Sequence, residues 1–238
     1  MGTNRPVIKL DGEAPQRRVK LKPFLLGQTP VSNAEVSDFA EQTGYVTEAE
    51  VFDWSFVFHL QVPTTQTTLQ GAAGAQWWRR VDGANWRRPA GPLGAESLPD
   101  HPAVHLSWMD AQAYCAWAGG RLPREAEWEH AARGGLGDVT YPWGDAPPDD
   151  REHLPCNIWQ GDFPNQNTAA DGFAFTSPAR SFAPNGYGLY GMAGNVWDWT
   201  ADLLRLKSLS KAGKAHAAAM RGYRVIKGGS FLCHASYC

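Results

Sequence analysis

Apolar residues recur at helical spacing in a few stretches of this 238-residue chain, and elsewhere they come in short runs broken by glycine and proline. Ser32-Asn33-Ala34-Glu35 has the form of a capping box, Val36, Phe39 and Ala40 follow as an apolar stripe, and Gly44 is placed to close the helix. Ser107 with Asp110 predicts a second helix with Trp108, Ala111, Tyr114 and Ala118 on its inner face, ended by Gly119-Gly120. A third is predicted from about Glu125 to Ala132, after Pro123. From Gly134 onward the pattern is mostly turns and short aromatic strands, the last beginning at Tyr223-Arg224-Val225-Ile226. Residues 205–220, rich in Lys and Ala, read as an exposed helix or a linker, and residues 61–100, rich in Pro, Gly, Thr and Ala, as a long surface excursion. No internal repeat interrupts the picture of one domain.

Composition adds detail. The 11 Trp, 25 Gly and 17 Pro suit many short elements joined by tight turns, and argue against a helical bundle. A formal charge of −2 gives no electrostatic case for nucleic acid or an anionic membrane as the main partner. Trp77-Trp78-Arg79-Arg80 and Trp86-Arg87-Arg88 mix aromatic and basic groups as a nucleic-acid groove does, but with that net charge they read better as Arg stems lying along a solvated loop. No apolar run approaches the ~20 residues that a membrane span needs. The start MGTNRPVIKLDGE has no apolar signal core, so the expected location is the cytoplasm.

Four cysteines, Cys115, Cys156, Cys233 and Cys238, are too few and too scattered for a disulfide scaffold. Cys233 and Cys238 stand apart because Gly228-Gly229 precedes them and Ala235-Ser236 lies between them. In a straight strand the two would be roughly 16 Å apart, so they meet only if the chain turns. A convergent thiolate pair suits Cu(I) better than Mg²⁺ or Ca²⁺ and is two ligands short of a structural zinc site. The same spacing also suits two structural thiols or a disulfide. His101 and His105 have i,i+4 spacing, but Pro102 argues against a helix there and favours structural roles for both. Asn157-Ile158 and Asp171-Gly172-Phe173 place hard oxygens beside backbone carbonyls, as Ca²⁺ prefers and as plain Asx-turns also do.

The segment GGSFLCHASYC resembles the active-site segment of the formylglycine-generating enzymes, the sulfatase-modifying factors. Stretches in matching order include GYVTEAE (44–50), HPAVHLSW (101–108), GRLPREAEWE (120–129), NIWQG (157–161) and GNVWDW (194–199). The resemblance implies an α+β fold related to C-type lectins, with low regular secondary structure, short strands and about three helices. It implies O₂-dependent oxidation of a cysteine in an unfolded sulfatase peptide, within Cys-x-Pro-x-Arg, to formylglycine. It further implies Cu(I) on Cys233 and Cys238, with Ser230, Trp197 and Tyr237 around them. One calcium site would take side chains from Asn157 and Asp171 and carbonyls from Ile158 and Phe173. A second would take Gly194, Val196 and Asp198, although Gly191 stands where the family carries Asn or Asp. The family has Thr or Ser where Arg124 stands, so the third helix is expected to lack a side-chain cap. It also continues past the second cysteine and begins before Met1. The expectation is therefore one monomeric domain over residues 1–238, incomplete at its C-terminus and also at its N-terminus. A non-catalytic, calcium-stabilised interaction module of the same fold is the alternative.

Overall fold

The computed structural model describes residues 1–8, 12–68, 71–206 and 211–235. Ser236, Tyr237 and Cys238 therefore lie outside the described residues. The architecture is mixed helix and short antiparallel strands, with five helices among the described residues where three were expected. No described helix is long and apolar enough to cross a membrane.

Helix α1 (Asn33–Thr43) starts as the pattern requires. The Ser32 hydroxyl accepts from the Glu35 N–H, the Glu35 carboxylate accepts from the Ser32 N–H at 2.7 Å, and Gly44 closes the helix at φ 67°. Helix α2 (Glu48–Phe52) was missed, although Thr47 and Glu50 make a second full capping box. At five residues α2 is too short to show a 3.6-residue period, so only its cap could have revealed it. In α3 (Trp108–Trp117) the Ser107–Asp110 box is present. Its inner face differs from the expected one: Ala118 is exposed, whereas Asp110 is buried. Asp110 also accepts from the Tyr45 hydroxyl at 3.0 Å and the Glu48 N–H at 3.1 Å, so one carboxylate ties the starts of α2 and α3 together.

Residues 61–100 are not a surface excursion. Within them β2 (Trp78–Asp82) pairs antiparallel with β1 (Trp54–Phe58), in register from Trp54↔Asp82 to Phe58↔Trp78. Val81 and Ala84 are fully buried against Val57, and Trp86 packs on Val36 and Ala40 of α1. The arginines behave as expected of snorkelling side chains. Arg80 lies over Trp54 and Arg87 over Trp86, at 4.5 and 4.2 Å from the ring centroids.

Helix α4 (Glu125–Ala132) has no side-chain bond from Arg124 at its start. Carboxylates supply the partners: Glu127 of the helix itself accepts from the Arg124 N–H at 2.8 Å, and Asp202 accepts from the Glu125 N–H at 2.7 Å. Strands β3 (Gly161–Asp162) and β4 (Gln166–Asn167) form a minimal hairpin. Strand β5 (Asp198–Leu203) pairs antiparallel with β6 (Arg224–Lys227) through an irregular register, and α5 (Lys211–Ala219) lies between them in sequence. Trp108 and Trp199 clamp β5 to α3, donating from their indoles to the carbonyls of Thr200 and Leu106. Both candidate histidines hold structure. His101 bonds Thr176, and half-buried His105 bonds Ser55 and the Pro89 carbonyl through its two ring nitrogens. Burial pushes the His105 imidazole down to about 4.

Candidate metal and thiol site

Strand β6 leads into Gly228 and Gly229, both with left-handed φ, at 95° and 76°. A Cβ on Gly228 would meet the Trp128 ring at 3.2 Å, so glycine is required both for the turn and for the close approach. The chain then folds back on itself: the Cys233 N–H donates to the Ser230 carbonyl at 2.9 Å. This brings the Ser230 N–H to 3.3 Å from the Cys233 sulfur, with the Ser230 hydroxyl at 3.8 Å. Cys233 is 8% exposed. An N–H directed at sulfur favours the thiolate, which is the form that binds soft metals. The fold thus brings Ser230 and Cys233 together, and Tyr237 and Cys238 lie outside the described residues.

Trp197 is 38% exposed and lines a cavity of about 540 Å³. Glu125, Trp128, Lys227, Gly228 and Gly229 share its wall, so Trp197 stands beside the glycines that lead into the thiol segment.

The four residues expected around one calcium are also brought together. Asp171 Oδ2 accepts from the Ile158 N–H and from Gln160 Nε2, each at 3.1 Å, and Oδ1 accepts from the Phe173 N–H at 2.9 Å. The last of these bonds is an Asx-turn, so that geometry is present too. Asn157 is 1% exposed and donates through Nδ2 to the Phe175 carbonyl and to Asn195 Oδ1. Its Oδ1 has no hydrogen-bond partner among the described residues. A buried amide oxygen left without a donor, on the residue before the Ile158 N–H that binds the Asp171 carboxylate, fits an oxygen-seeking cation.

The second set fits less well. Gly194 and Val196 precede Asp198, but Asp198 Oδ2 already accepts from the Trp128 indole at 2.9 Å. Burial pushes the Asp198 carboxyl up to about 6. Gly191, at φ 64°, packs so that a Cβ would sit 2.9 Å from the Pro30 ring. The residue expected to lack a ligand side chain is therefore also a position where any side chain must displace Pro30 or be displaced.

Sequence reasoning missed the residue that joins these parts. Asn195, 5% exposed and at φ 61°, bonds in every direction. Its side chain accepts from the Ser177 N–H and Asn157 Nδ2 and donates to the Ser177 carbonyl. Its N–H donates to the Asn157 carbonyl, and its carbonyl accepts from the Phe231 N–H. Gly194 donates to the Gly228 carbonyl, and Trp159 to the Cys233 carbonyl. The oxygen-rich loop and the thiol segment thus form one hydrogen-bonded body. The only local signal for this hub was the dipeptide Gly194-Asn195, which reads as a turn. Cys156 is buried beside it. Burial pushes its thiol up to about 12, with the charges of Asp171 and Cys233 adding, so it is protonated at neutral pH.

A fold of short paired strands and capped helices around such a body is that of the sulfatase-modifying factors. The family model described as sulfatase-modifying factor enzyme 1-like domain matches residues 1–238, and the chain belongs to that family. It is 51% identical over 235 residues to the formylglycine-generating enzyme of Thermomonospora curvata, covering 96% of this chain and 77% of that one. It is 49% identical over 242 residues to the bovine formylglycine-generating enzyme, covering 100% of this chain and 64% of the bovine one. This chain thus spans less than two thirds of the bovine protein. It is also 44% identical over 236 residues to a bovine protein named inactive C-alpha-formylglycine-generating enzyme 2, covering 98% of this chain and 73% of that one. Among solved structures, PvdO from Pseudomonas aeruginosa shares the fold at a TM-score of 0.60 and 23% identity, over 95% of this chain and 76% of PvdO.

Proposed function

We propose that this chain oxidises a cysteine of an unfolded sulfatase peptide, within Cys-x-Pro-x-Arg, to formylglycine, using O₂ and copper(I) held by Cys233 and Cys238. The observation that carries this reading is the buried Cys233 sulfur facing the Ser230 N–H, in a chain about half identical to proteins named for that conversion. Bound copper(I) would supply a soft centre at which a substrate sulfur and O₂ can exchange electrons. The protein's own residues prepare that centre. The Ser230 N–H favours the thiolate at Cys233, and the Ser230 hydroxyl stands near enough to the sulfur to hold a proton there. Trp197 offers an apolar wall beside Gly228-Gly229, and Tyr237 is proposed as a further polar neighbour.

Calcium is proposed on Asn157, Ile158, Asp171 and Phe173, where it would stiffen the body that carries the Cys233 carbonyl; the Gly194, Val196 and Asp198 set is the weaker second candidate. The setting that suits reduced thiols is the cytoplasm, and the chain is proposed to act as a monomer. Two measurements test the reading. Competition with a Cu(I) chelator should give about one copper per chain, and Cys233→Ala should weaken binding at least tenfold, because half of a two-thiolate set is removed. A Cys-x-Pro-x-Arg peptide with copper, O₂ and a reductant should lose its sulfur and gain an aldehyde by mass, in the parent and not in Cys233→Ala. Equal copper affinity in both proteins would end the copper reading. Copper bound without any aldehyde would favour a non-catalytic, calcium-stabilised interaction module, a second reading supported by the likeness to a relative named inactive.

A further inference from the structure

Gln160 lies outside the four residues assigned to the oxygen-rich loop, yet it is 0% exposed and reaches into it. Its Nε2 donates to Asp171 Oδ2 at 3.1 Å, the same oxygen that accepts from the Ile158 N–H. Its main chain is held independently: the N–H points at Asn167 Oδ1 at 3.4 Å, and the carbonyl accepts from the Thr168 N–H at 2.8 Å. The side chain is therefore not needed to hold the main chain here. Its Oε1 has no partner among the described residues, and Asn157 Oδ1 is in the same condition. A buried acceptor left without a donor is destabilising, because it gives up its hydrogen bonds to water and gains none in return. Two amide oxygens in that state, three residues apart in one buried segment whose Ile158 N–H and Gln160 Nε2 both bond Asp171, point to something that completes them.

We infer that Gln160 is a positioning residue of the cation site, fixing the Asp171 carboxylate through Nε2 while its Oε1 is completed only when the hydrated cation is bound. The inference rests on the calcium reading of the Asn157/Asp171 loop. An apolar side chain of similar length can fill the space of Gln160 but cannot hold Asp171. A carboxylate there repels Asp171 until a cation lies between them. The two substitutions thus move the calcium response in opposite directions, which a packing role does not do.

The experiment compares the parent, Gln160→Met and Gln160→Glu by thermal melts in chelator and in excess Ca²⁺, with Ca²⁺ affinity from calorimetry. In Gln160→Met the affinity should fall about 10–100-fold, the range found for residues that orient metal ligands, while the melt in chelator stays near that of the parent. In Gln160→Glu the melt in chelator should drop, and the rise on adding Ca²⁺ should exceed the parent's. Should Gln160→Met fail to fold, the calcium-induced rise in Gln160→Glu decides alone. Lower melts by the same amount with and without Ca²⁺, at unchanged affinity, would make Gln160 a packing residue only and overturn the inference. A parent chain with no calcium response would overturn the calcium reading itself, and this inference with it.

Discussion

Around α1 and α3, apolar side chains of the helices meet Trp86 and Leu106, and each helix start is satisfied by side chains within three residues of it. Around Asn157, Asn195 and Cys233 there is almost no regular structure, and polar side chains bond to distant main chain instead. Asn185 repeats the device, donating to the last carbonyls of α4 at Ala131 and Ala132 and accepting from the N–H groups of Tyr187 and Leu189. The helical part therefore tolerates the loss of one contact, because burial is shared by many atoms. The loop part does not, because each lost polar atom leaves buried partners without hydrogen bonds. That rigidity keeps the Cys233 segment and the Asn157/Asp171 loop at fixed positions relative to each other.

Substitutions can break this contrast at either end. The largest effect is expected at the hub. Asn195→Ala strands the Ser177 N–H and carbonyl and leaves Asn157 Nδ2 only its bond to the Phe175 carbonyl, and should lower stability by about 2–6 kcal/mol in urea unfolding, from on the order of 1–3 kcal/mol for each of the two stranded groups. A loss below that of a single helix cap would refute the view that the loops depend on this residue. Glu127 comes next. It faces Arg121 through two 2.8 Å contacts and accepts from the Arg124 N–H. The Arg121 guanidinium beside it, first among the causes, holds the Glu127 carboxyl down to about 2. Because the folded value lies below the unfolded one, this stabilisation is complete above about pH 4.5 and is lost as pH falls toward 2. Glu127→Gln should cost about 1–2 kcal/mol at pH 7 and flatten acid unfolding over that window. The smallest effects belong to the caps. Ser32→Ala should cost about 1 kcal/mol, and Arg124→Ser should gain about 0.5 kcal/mol by adding the cap that α4 lacks. Calorimetric melts of the two variants sharpen the comparison if they move in opposite directions.

Much of the helical part was legible because its signals are local. Ser32, Ser107 and Gly44 act on neighbours three or four residues away, so a short window of sequence contains both partners. Helix α2 shows the limit, since its capping box is as complete as the others but it has too few residues for a stripe. The stretch 61–100 failed for a different reason. Its Gly and Pro content is that of a loop, and only pairing with β1 and contact with α1 make Val81 and Trp86 core residues.

At the candidate site the residue types were readable and the connections were not. The Cys233/Cys238 thiols and the Asn157 and Asp171 oxygens suggested a candidate soft and a candidate hard site by residue type, and only the family resemblance favoured those readings over structural thiols and Asx-turns. The sequence also determined where the backbone must turn, since Gly228 and Gly229 take φ values that few other residues adopt. Only the tertiary structure decided that these sites share one body, that Asn195 sits at its centre, and that Gln160 holds Asp171. Those bonds join residues from 11 to 74 positions apart. Hydrogen bonds between such segments leave no period or spacing in the sequence, because they are chosen by how the chain packs, not by what stands beside each residue along it.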